Sequence, residues 1–153
     1  QGKYYWLTGS RCVFYLSILG TEEILHGMTE CAWRSPATNE ALRAVMKLHT
    51  IEEQRHMAFA REYLAAVFPR LGGVGRWYAR IMVPIVVYTV VQASVDPAVY
   101  RTLGIPDGHR TAWANPVRRA RIKKSLEGYG AFCRRIGMIT AATAPLWRSL
   151  GLL

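Results

Sequence analysis

The stretch His49-Thr50-Ile51-Glu52-Glu53-Gln54-Arg55-His56 carries metal-binding types of side chain at the spacing of an α-helix. It lies inside residues 35–68, which predict one long helix. At about 100° per residue, His49, Glu53 and His56 fall within an arc of roughly 60° on that helix. Two imidazoles and one carboxylate therefore leave the helix on one side, which is the outline of a metal-binding face.

The limits of this helix and its apolar neighbours support that interpretation. Ser35 suits an N-cap, Pro36 suits the first helical position, and Pro69 ends the run. Ligand-type groups inside an apolar stripe need a partner, because burying an unpaired charge is costly. The largely apolar positions expected to bury this side are Val45, Met46, Phe59, Ala60 and Leu64.

The mixture of ligand types favours a pair of metal ions. Glu-x-x-His on a helix, completed by carboxylates from facing helices, is the ligand pattern of ferritin-like di-iron and di-manganese proteins. Carboxylate and imidazole together suit iron or manganese better than a thiolate site does. The zinc-protease pattern does not fit, because Thr50 and not Glu follows His49. The alternative is a solvated face in which Glu52 pairs with His56 and His49 with Glu53, each pair worth roughly a few tenths of a kcal/mol.

A second long helix is predicted over residues 4–33. Its middle carries Glu22-Glu23-Ile24-Leu25-His26, and the preceding run Val13-Phe14-Tyr15-Leu16 is too apolar for a fully solvated helix. An acidic pair and a His in such surroundings again require a ligand or a charged partner. This second element therefore strengthens the metal-ligand interpretation of the first.

The acidic pair of this second helix allows two assignments. Glu22 is the preferred metal ligand, with His26 one turn away as a supporting residue or a further ligand. Glu23-x-x-His26 is itself a Glu-x-x-His pair, so the opposite assignment stays open. For Glu23 and Glu30 the favoured interpretation is an outer, solvated face.

Four segments of the chain carry a resemblance to a known family. They are Thr21-Glu22-Glu23-Ile24-Leu25, His49-x-x-x-Glu53-x-x-His56, Phe59-Ala60-Arg61-Glu62 and the final Leu146-Trp147-Arg148-Ser149-Leu150-Gly151-Leu152-Leu153. Together they resemble the p-aminobenzoate N-oxygenase family of di-iron enzymes, over nearly the whole chain. The resemblance implies an all-α, ferritin-like helical bundle, of which this chain forms half, with extra C-terminal helices. It also implies a dinuclear site with two iron ions, or manganese, whose ligands here are Glu22, His49, Glu53 and His56.

The resemblance leaves part of that metal site to be supplied from elsewhere. Members of the family carry an earlier pair of helices with another Glu and another Glu-x-x-His, and only 21 residues precede Glu22 here. We therefore expect the chain to be the C-terminal portion of a longer or processed protein. The alternatives are a partner chain that supplies the missing ligands, or a homodimer in which two copies of the four-ligand set face each other. A homodimer is reasonable because a four-helix di-metal site is pseudo-symmetric.

Length and composition predict one folded domain. With 153 residues, of which 51% are apolar, the chain can bury a core. Residues 1–70 are predicted to form the metal-ligand helix pair, and residues 71–153 a set of basic accessory helices. Up to Glu62, seven basic residues balance seven acidic ones. From Tyr63 onward there are thirteen basic and three acidic residues, so the net charge of +10 belongs to this second part of the chain. The three cysteines include no CxxC pair, which indicates reduced thiols in a cytoplasmic protein.

The second half of the chain predicts a loop over residues 72–75 and then a buried helix over 77–95, kinked at Pro84. A membrane span is disfavoured, because only 15 uncharged residues run from Ile81 to Val95 and roughly 20 are needed. The remaining predicted elements are a short helix through about Leu103, with Asp96 as its N-cap and Pro97 at its first position, and a loop over 104–113. Asn115-Pro116 is predicted to start another helix to about Gly137, and a last short helix covers 141–150.

These features together predict a non-haem di-iron oxygenase. As the resemblance implies, it uses O2 to oxidise a small organic substrate, and N-oxygenation of an amine is the expected reaction. An external electron donor is required, because the sequence shows no motif for a flavin or a nicotinamide. Nucleic acid is disfavoured as a partner, because the basic residues 118–124 are segregated from aromatic ones. The alternatives are a ferritin-like metal-binding protein without oxygenase turnover, and a basic helical interaction module.

Overall fold

The computed structural model describes residues 10–93 and 96–153. Every regular element in these residues is helical and none is a strand, which confirms the all-α, ferritin-like fold class. The helices are α1 (Arg11–Arg34), α2 (Glu40–Val67), α3 (Gly73–Ala93), α4 (Pro97–Thr102), α5 (Gly108–Ala114), α6 (Pro116–Arg135) and α7 (Ala144–Ser149). A 3₁₀ turn, Phe68–Arg70, follows α2 and contains the predicted stop at Pro69.

Helix α1 is central because it packs against three other long helices, chiefly α2 and also α3 and α6. Its buried side includes Leu16 and Leu19. Gly20 lets α6 approach closely, since a Cβ atom there would lie 3.0 Å from ring atoms of Tyr129. The Tyr129 hydroxyl in turn donates a hydrogen bond to the Leu16 carbonyl at 2.8 Å. These contacts fix the middle of α1 between α2 and α6.

The C-terminal part of the chain is tied to α3 and to the core. Arg80 donates from Nε and Nη2 to the Gly137 carbonyl, at 3.1 and 2.8 Å. Gly137 has a positive φ of 78° just after α6, so the chain turns there in a conformation that favours glycine. Trp147 of α7 is buried, with its ring centroid 5.9 Å from that of Tyr129. The accessory helices therefore stabilise the position of α6, and through it that of α1.

The prediction of a buried helix around Pro84 holds for one side of α3 only. Val83, Val87 and Val91 lie in the core, whereas Trp77 is exposed. By length and composition alone, the stretch Gly73–Thr102 could cross a membrane, a test that the core helix of a soluble protein also passes. Packing among the described residues thus accounts for one face of α3.

Helix α2 begins later than predicted, and the prediction of Ser35 as its N-cap is wrong. Asn39 caps the helix instead, because its Oδ1 accepts a hydrogen bond from the Leu42 N–H at 2.8 Å. Ser35 ends α1, where its N–H donates to the Ala32 carbonyl at 3.3 Å. Thr38 closes the turn between the two helices by donating its hydroxyl to the same carbonyl at 2.7 Å.

Two other predicted caps are confirmed. Asp96 Oδ1 accepts from the Ala98 N–H at 2.7 Å at the start of α4. Asn115 Oδ1 accepts from the Val117 N–H at 2.9 Å at the start of α6. In both helices a proline occupies the first helical position, where a backbone N–H is not needed.

Both predicted loops of the second half are partly helical, and the last helix is shorter than predicted. Helix α3 already begins at Gly73, and its exposed first turn is held by Arg76, whose N–H donates to the Gly72 carbonyl at 3.0 Å and whose Nη1 donates to the Pro69 carbonyl at 3.2 Å. Helix α5 occupies part of residues 104–113; its first residue, Gly108, lies against the Tyr100 ring, a contact that local composition does not reveal. The last helix covers Ala144–Ser149 rather than residues 141–150. The first six residues of the predicted helix 4–33 lie outside the described part of the chain.

Candidate metal centre

The carboxyl groups of Glu22 and Glu53 meet between α1 and α2. Burial raises the pKa of Glu22 to about 8, and a hydrogen bond to Glu53 and the charge of Glu53 act in the same direction. Such a hydrogen bond exists only while one of the two carboxyls is protonated. Glu53 is buried, and its Oε2 has no hydrogen-bond partner among residues 10–93 and 96–153.

His49 lies one turn before Glu53 and contacts it directly. Its Nε2 is 3.4 Å from Glu53 Oε1, and the imidazole is 45% exposed whereas the Glu53 side chain is 10% exposed. His56, one turn after Glu53 on the same helix, is also exposed. Glu53 is therefore the inner member of the set, and the two histidines lie toward solvent.

The structure brings the four predicted ligands together only in part. Glu22 contacts Glu53, and Glu53 contacts His49. In the described part of the chain, no three His, Cys, Asp or Glu side chains converge closely enough to hold a metal ion. The four residues thus remain a predicted ligand set, of which two overlapping pairs are in contact.

Glu23, the next residue of α1, has a different partner. Arg61 of α2 donates a hydrogen bond from Nη2 to Glu23 Oε1. Burial raises the pKa of Glu23, while the charges of Arg61 and His26 lower it. The interpretation of Glu23 as a solvated outer residue is wrong, because its side chain is only 12% exposed and is paired with a cation. Sequence reasoning missed Arg61, which gives no local signal because it lies 38 residues from Glu23.

Two other polar residues of α1, Glu30 and His26, have different surroundings. Glu30 is partly exposed and pairs with Arg34 at 2.7 Å, as expected for an outer position. His26 lies near Glu23, and its Nδ1 is buried without a hydrogen-bond partner in the residues that the structure describes. The two contacts that the acidic pair of α1 makes with α2 therefore differ: Glu23 has its own cation, and Glu22 faces another carboxyl.

One known protein family matches the part of the chain that contains this helix pair. The sequence profile described as "P-aminobenzoate N-oxygenase AurF" matches residues 2–137, which include all four predicted ligands. The chain belongs to the AurF family. Membership indicates an oxygenase and implies iron at the level of the family.

Individual relatives add no further assignment of function. The uncharacterized protein Rv0885 of Mycobacterium tuberculosis and the uncharacterized protein Mb0909 of Mycobacterium bovis are each 30% identical to the chain over 96 residues. The match covers 61% of this chain and 28% of either relative, so the AurF-family region seen here spans a minor part of those longer proteins. No solved structure matches the chain.

The face of this AurF-family helix pair that carries the histidines is exposed and bears several apolar side chains. The expected burial by neighbouring apolar residues holds for Ala60 and Leu64, but it is wrong for Val45 and Phe59, which are 58% and 61% exposed. Leu48 is exposed on the same side. The reason is that no element of the described chain packs over this face, which we call the open face of α2.

The donor set fits iron. Glu22 and Glu53 form a partly buried carboxyl pair that contacts His49, and no Lys or Arg of the described residues forms an ion pair with it. Carboxylate oxygens with imidazole nitrogens are the ligands that iron and manganese accept in helical bundles. A dinuclear site needs further ligands, and the open face of α2 is the side from which facing helices can supply them.

Proposed function

We propose that this chain supplies half of the dinuclear iron site of an O2-activating oxygenase. The proposed ligands are Glu22, His49, Glu53 and His56, and manganese is the alternative metal. The observation that carries the proposal is the contact between the Glu22 and Glu53 carboxyls in a partly buried setting, where no Lys or Arg of residues 10–93 and 96–153 forms an ion pair with either of them. Two carboxylates so placed repel each other, and a bound cation turns that repulsion into attraction.

Each residue has a distinct part in holding the metal. Glu53 lies between the Glu22 carboxyl and the His49 imidazole, and its carboxylate would hold iron together with these two groups. His49 and His56 supply imidazole nitrogens from the exposed side, one turn before and one turn after Glu53. Bound iron supplies the reaction with O2. The protein fixes the ligands and, through the apolar side chains of the open face, excludes water once that face is covered.

The substrate in this proposal is a small organic amine, oxidised at nitrogen, with electrons from an external donor. The open face must be covered before such a site is complete. The missing ligands come from a second copy of the chain or from another chain or segment with acidic and histidine-bearing helices. Either source would bury Val45, Leu48 and Phe59.

The first test compares iron binding in two matched variants. Glu53→Gln removes a proposed ligand from α2, and Glu52→Gln makes the same change at the adjacent, exposed position. After anaerobic addition of ferrous iron, we expect elemental analysis to find iron with the wild type and with Glu52→Gln, but not with Glu53→Gln. Native mass spectrometry of the same samples shows whether iron is held by a monomer or by an assembly. Iron kept by Glu53→Gln at the wild-type level would refute the ligand assignment.

Turnover then separates the oxygenase from its alternatives. Iron-loaded protein, given a reductant, O2 and an aryl amine, should form an N-oxygenated product detectable by mass spectrometry. Iron binding and O2 consumption without any organic product would instead indicate a ferritin-like metal-binding protein. If no assembly binds iron and His56→Ala alters only stability, the helix pair serves as an interaction module.

A further inference from the structure

A cleft that contains none of the proposed metal ligands lies between the end of α3, the start of α6 and the C-terminal segment. Its volume is about 360 Å³, within the range of pockets that hold small organic ligands. Tyr88 and Trp113 form an aromatic wall, with ring centroids 5.9 Å apart in an edge-to-face arrangement. Ile122 adds an apolar surface beside them.

The charges around this cleft are all positive. No Asp or Glu is among the described residues that line it, and the four cationic side chains that do so are Arg118, Arg119, Lys123 and Arg148. Three of them lie in the first turns of α6, where the helix dipole is also positive. Like charges at the positive end of a dipole repel, and a bound anion relieves that repulsion.

Two of the arginines are already held in place. Arg118 donates from Nη2 to the Val91 carbonyl at 3.2 Å, and its guanidinium lies 5.1 Å from the centroid of the Trp113 ring. Arg119 donates from Nε to the Trp113 carbonyl at 3.1 Å. Cations fixed by the fold lose less conformational freedom when a ligand binds than mobile surface lysines do.

We propose that this cleft binds a small phosphate monoester with a flat apolar body. The four cations match a dianionic phosphate with three terminal oxygens better than a singly charged carboxylate, because arginine pairs with two phosphate oxygens at once. The aromatic wall of Tyr88 and Trp113 provides the surface for the apolar body. The site is independent of the proposed iron centre, since the two share no residue.

The test uses the full metal-free chain and isothermal titration calorimetry with three probes: phenyl phosphate, inorganic phosphate and phenol. We expect one saturable site for phenyl phosphate, weaker binding of inorganic phosphate, which lacks the ring, and no binding of phenol, which lacks the charge. Lys123→Gln removes a cation that lines the cleft. Lys124→Gln removes the adjacent lysine, which does not line it.

The two lysine variants distinguish a built site from general attraction to a basic surface. Losing one charge-assisted contact should weaken phenyl phosphate binding roughly tenfold in Lys123→Gln, while Lys124→Gln stays close to the wild type. Both lysines are exposed, so neither change should unfold the chain. Equal weakening in the two variants would overturn the proposal in favour of a diffuse basic surface. Phenyl phosphate that binds no more tightly than inorganic phosphate would overturn the assignment of an organic ligand.

Discussion

Replacing Glu22 with Gln should stabilise the metal-free chain at alkaline pH and leave its stability unchanged under acidic conditions. Burial, with Glu53 adding to it, raises the pKa of Glu22 from 4.5 to about 8. Between these two values the folded chain keeps a proton that the unfolded chain has lost. The free energy of unfolding of the wild type therefore falls as the pH rises through this window. Glutamine is neutral throughout, so the variant keeps the stability that the wild type loses.

The size of the effect follows from the two pKa values. Each pH unit between them is worth about 1.4 kcal/mol, which gives an upper bound of about 5 kcal/mol for a fully buried carboxyl. Because Glu22 is only partly buried, solvent screening reduces this to about 1–2 kcal/mol. We expect the Glu22→Gln variant to exceed the wild type by that amount near pH 9 and to equal it near pH 5.

Urea unfolding in the presence of EDTA, followed by the helical circular dichroism signal, measures both free energies. Urea is preferable to guanidinium chloride because it adds no ions that screen the carboxyls. Burial raises the pKa of Cys12 to about 11 and that of Cys133 to about 12, so ionisation of these thiols in the unfolded chain lowers the stability of wild type and variant alike and cancels in the difference between them.

A variant of the same helix provides the control for this experiment. Glu30→Gln removes a partly exposed carboxylate that pairs with Arg34, so it should change the free energy of unfolding by less than about 1 kcal/mol and leave the pH profile intact. If the wild type is equally stable at both pH values, or if Glu22→Gln follows the same profile as the wild type, burial beside Glu53 does not raise the pKa of Glu22.

Two further predictions concern Glu23 and the thiols. Arg61→Met should destabilise the chain by about 2–4 kcal/mol, because it leaves the buried Glu23 carboxylate without its cation. Adding Glu23→Gln should recover most of that loss in the same urea assay, and no recovery would assign the loss to packing instead. Of the three free cysteines, only Cys31 is exposed, so Ellman's reagent should modify one thiol in the folded chain and three in urea. Rapid modification of Cys12 or Cys133 under native conditions would contradict the burial described here.

The type of each long element could be predicted from the sequence, whereas some of its limits could not. Asp96 and Asn115 were identified as caps because a proline follows each of them, and both predictions are confirmed. Ser35 followed by Pro36 has the same appearance but ends α1 instead. Asn39, a second residue that can cap a helix, lies one turn later. The residues around Ser35 and Asn39 do not show which of the two begins α2, because α1 also needs a residue at which to end.

In the candidate site, a contact within one helix could be predicted from the sequence, whereas contacts between two helices could not. Helical spacing predicted that His49 and Glu53 are neighbours, and their atoms are 3.4 Å apart. The contact between Glu22 and Glu53 depends on how α1 packs on α2, which helical spacing alone does not give. The partner of Glu23 was missed for the same reason, since nothing near Arg61 in the sequence distinguishes it from a surface arginine. The metal-ligand role of Glu22 stays a prediction that iron binding must test.

The contrast between Glu22 and Glu23 explains why stability alone does not account for this helix pair. Glu23 is buried with a cation inside the fold, which is how a structural carboxylate is normally accommodated. Glu22 is placed against Glu53, and the metal-free chain should become more stable at alkaline pH when that carboxyl is removed. A cation bound between the two would reverse the sign of their interaction. Since the adjacent histidines and the open face of α2 are exposed, the compensating ion and its remaining ligands would approach from that same side, so metal binding and assembly are expected to stabilise the chain together.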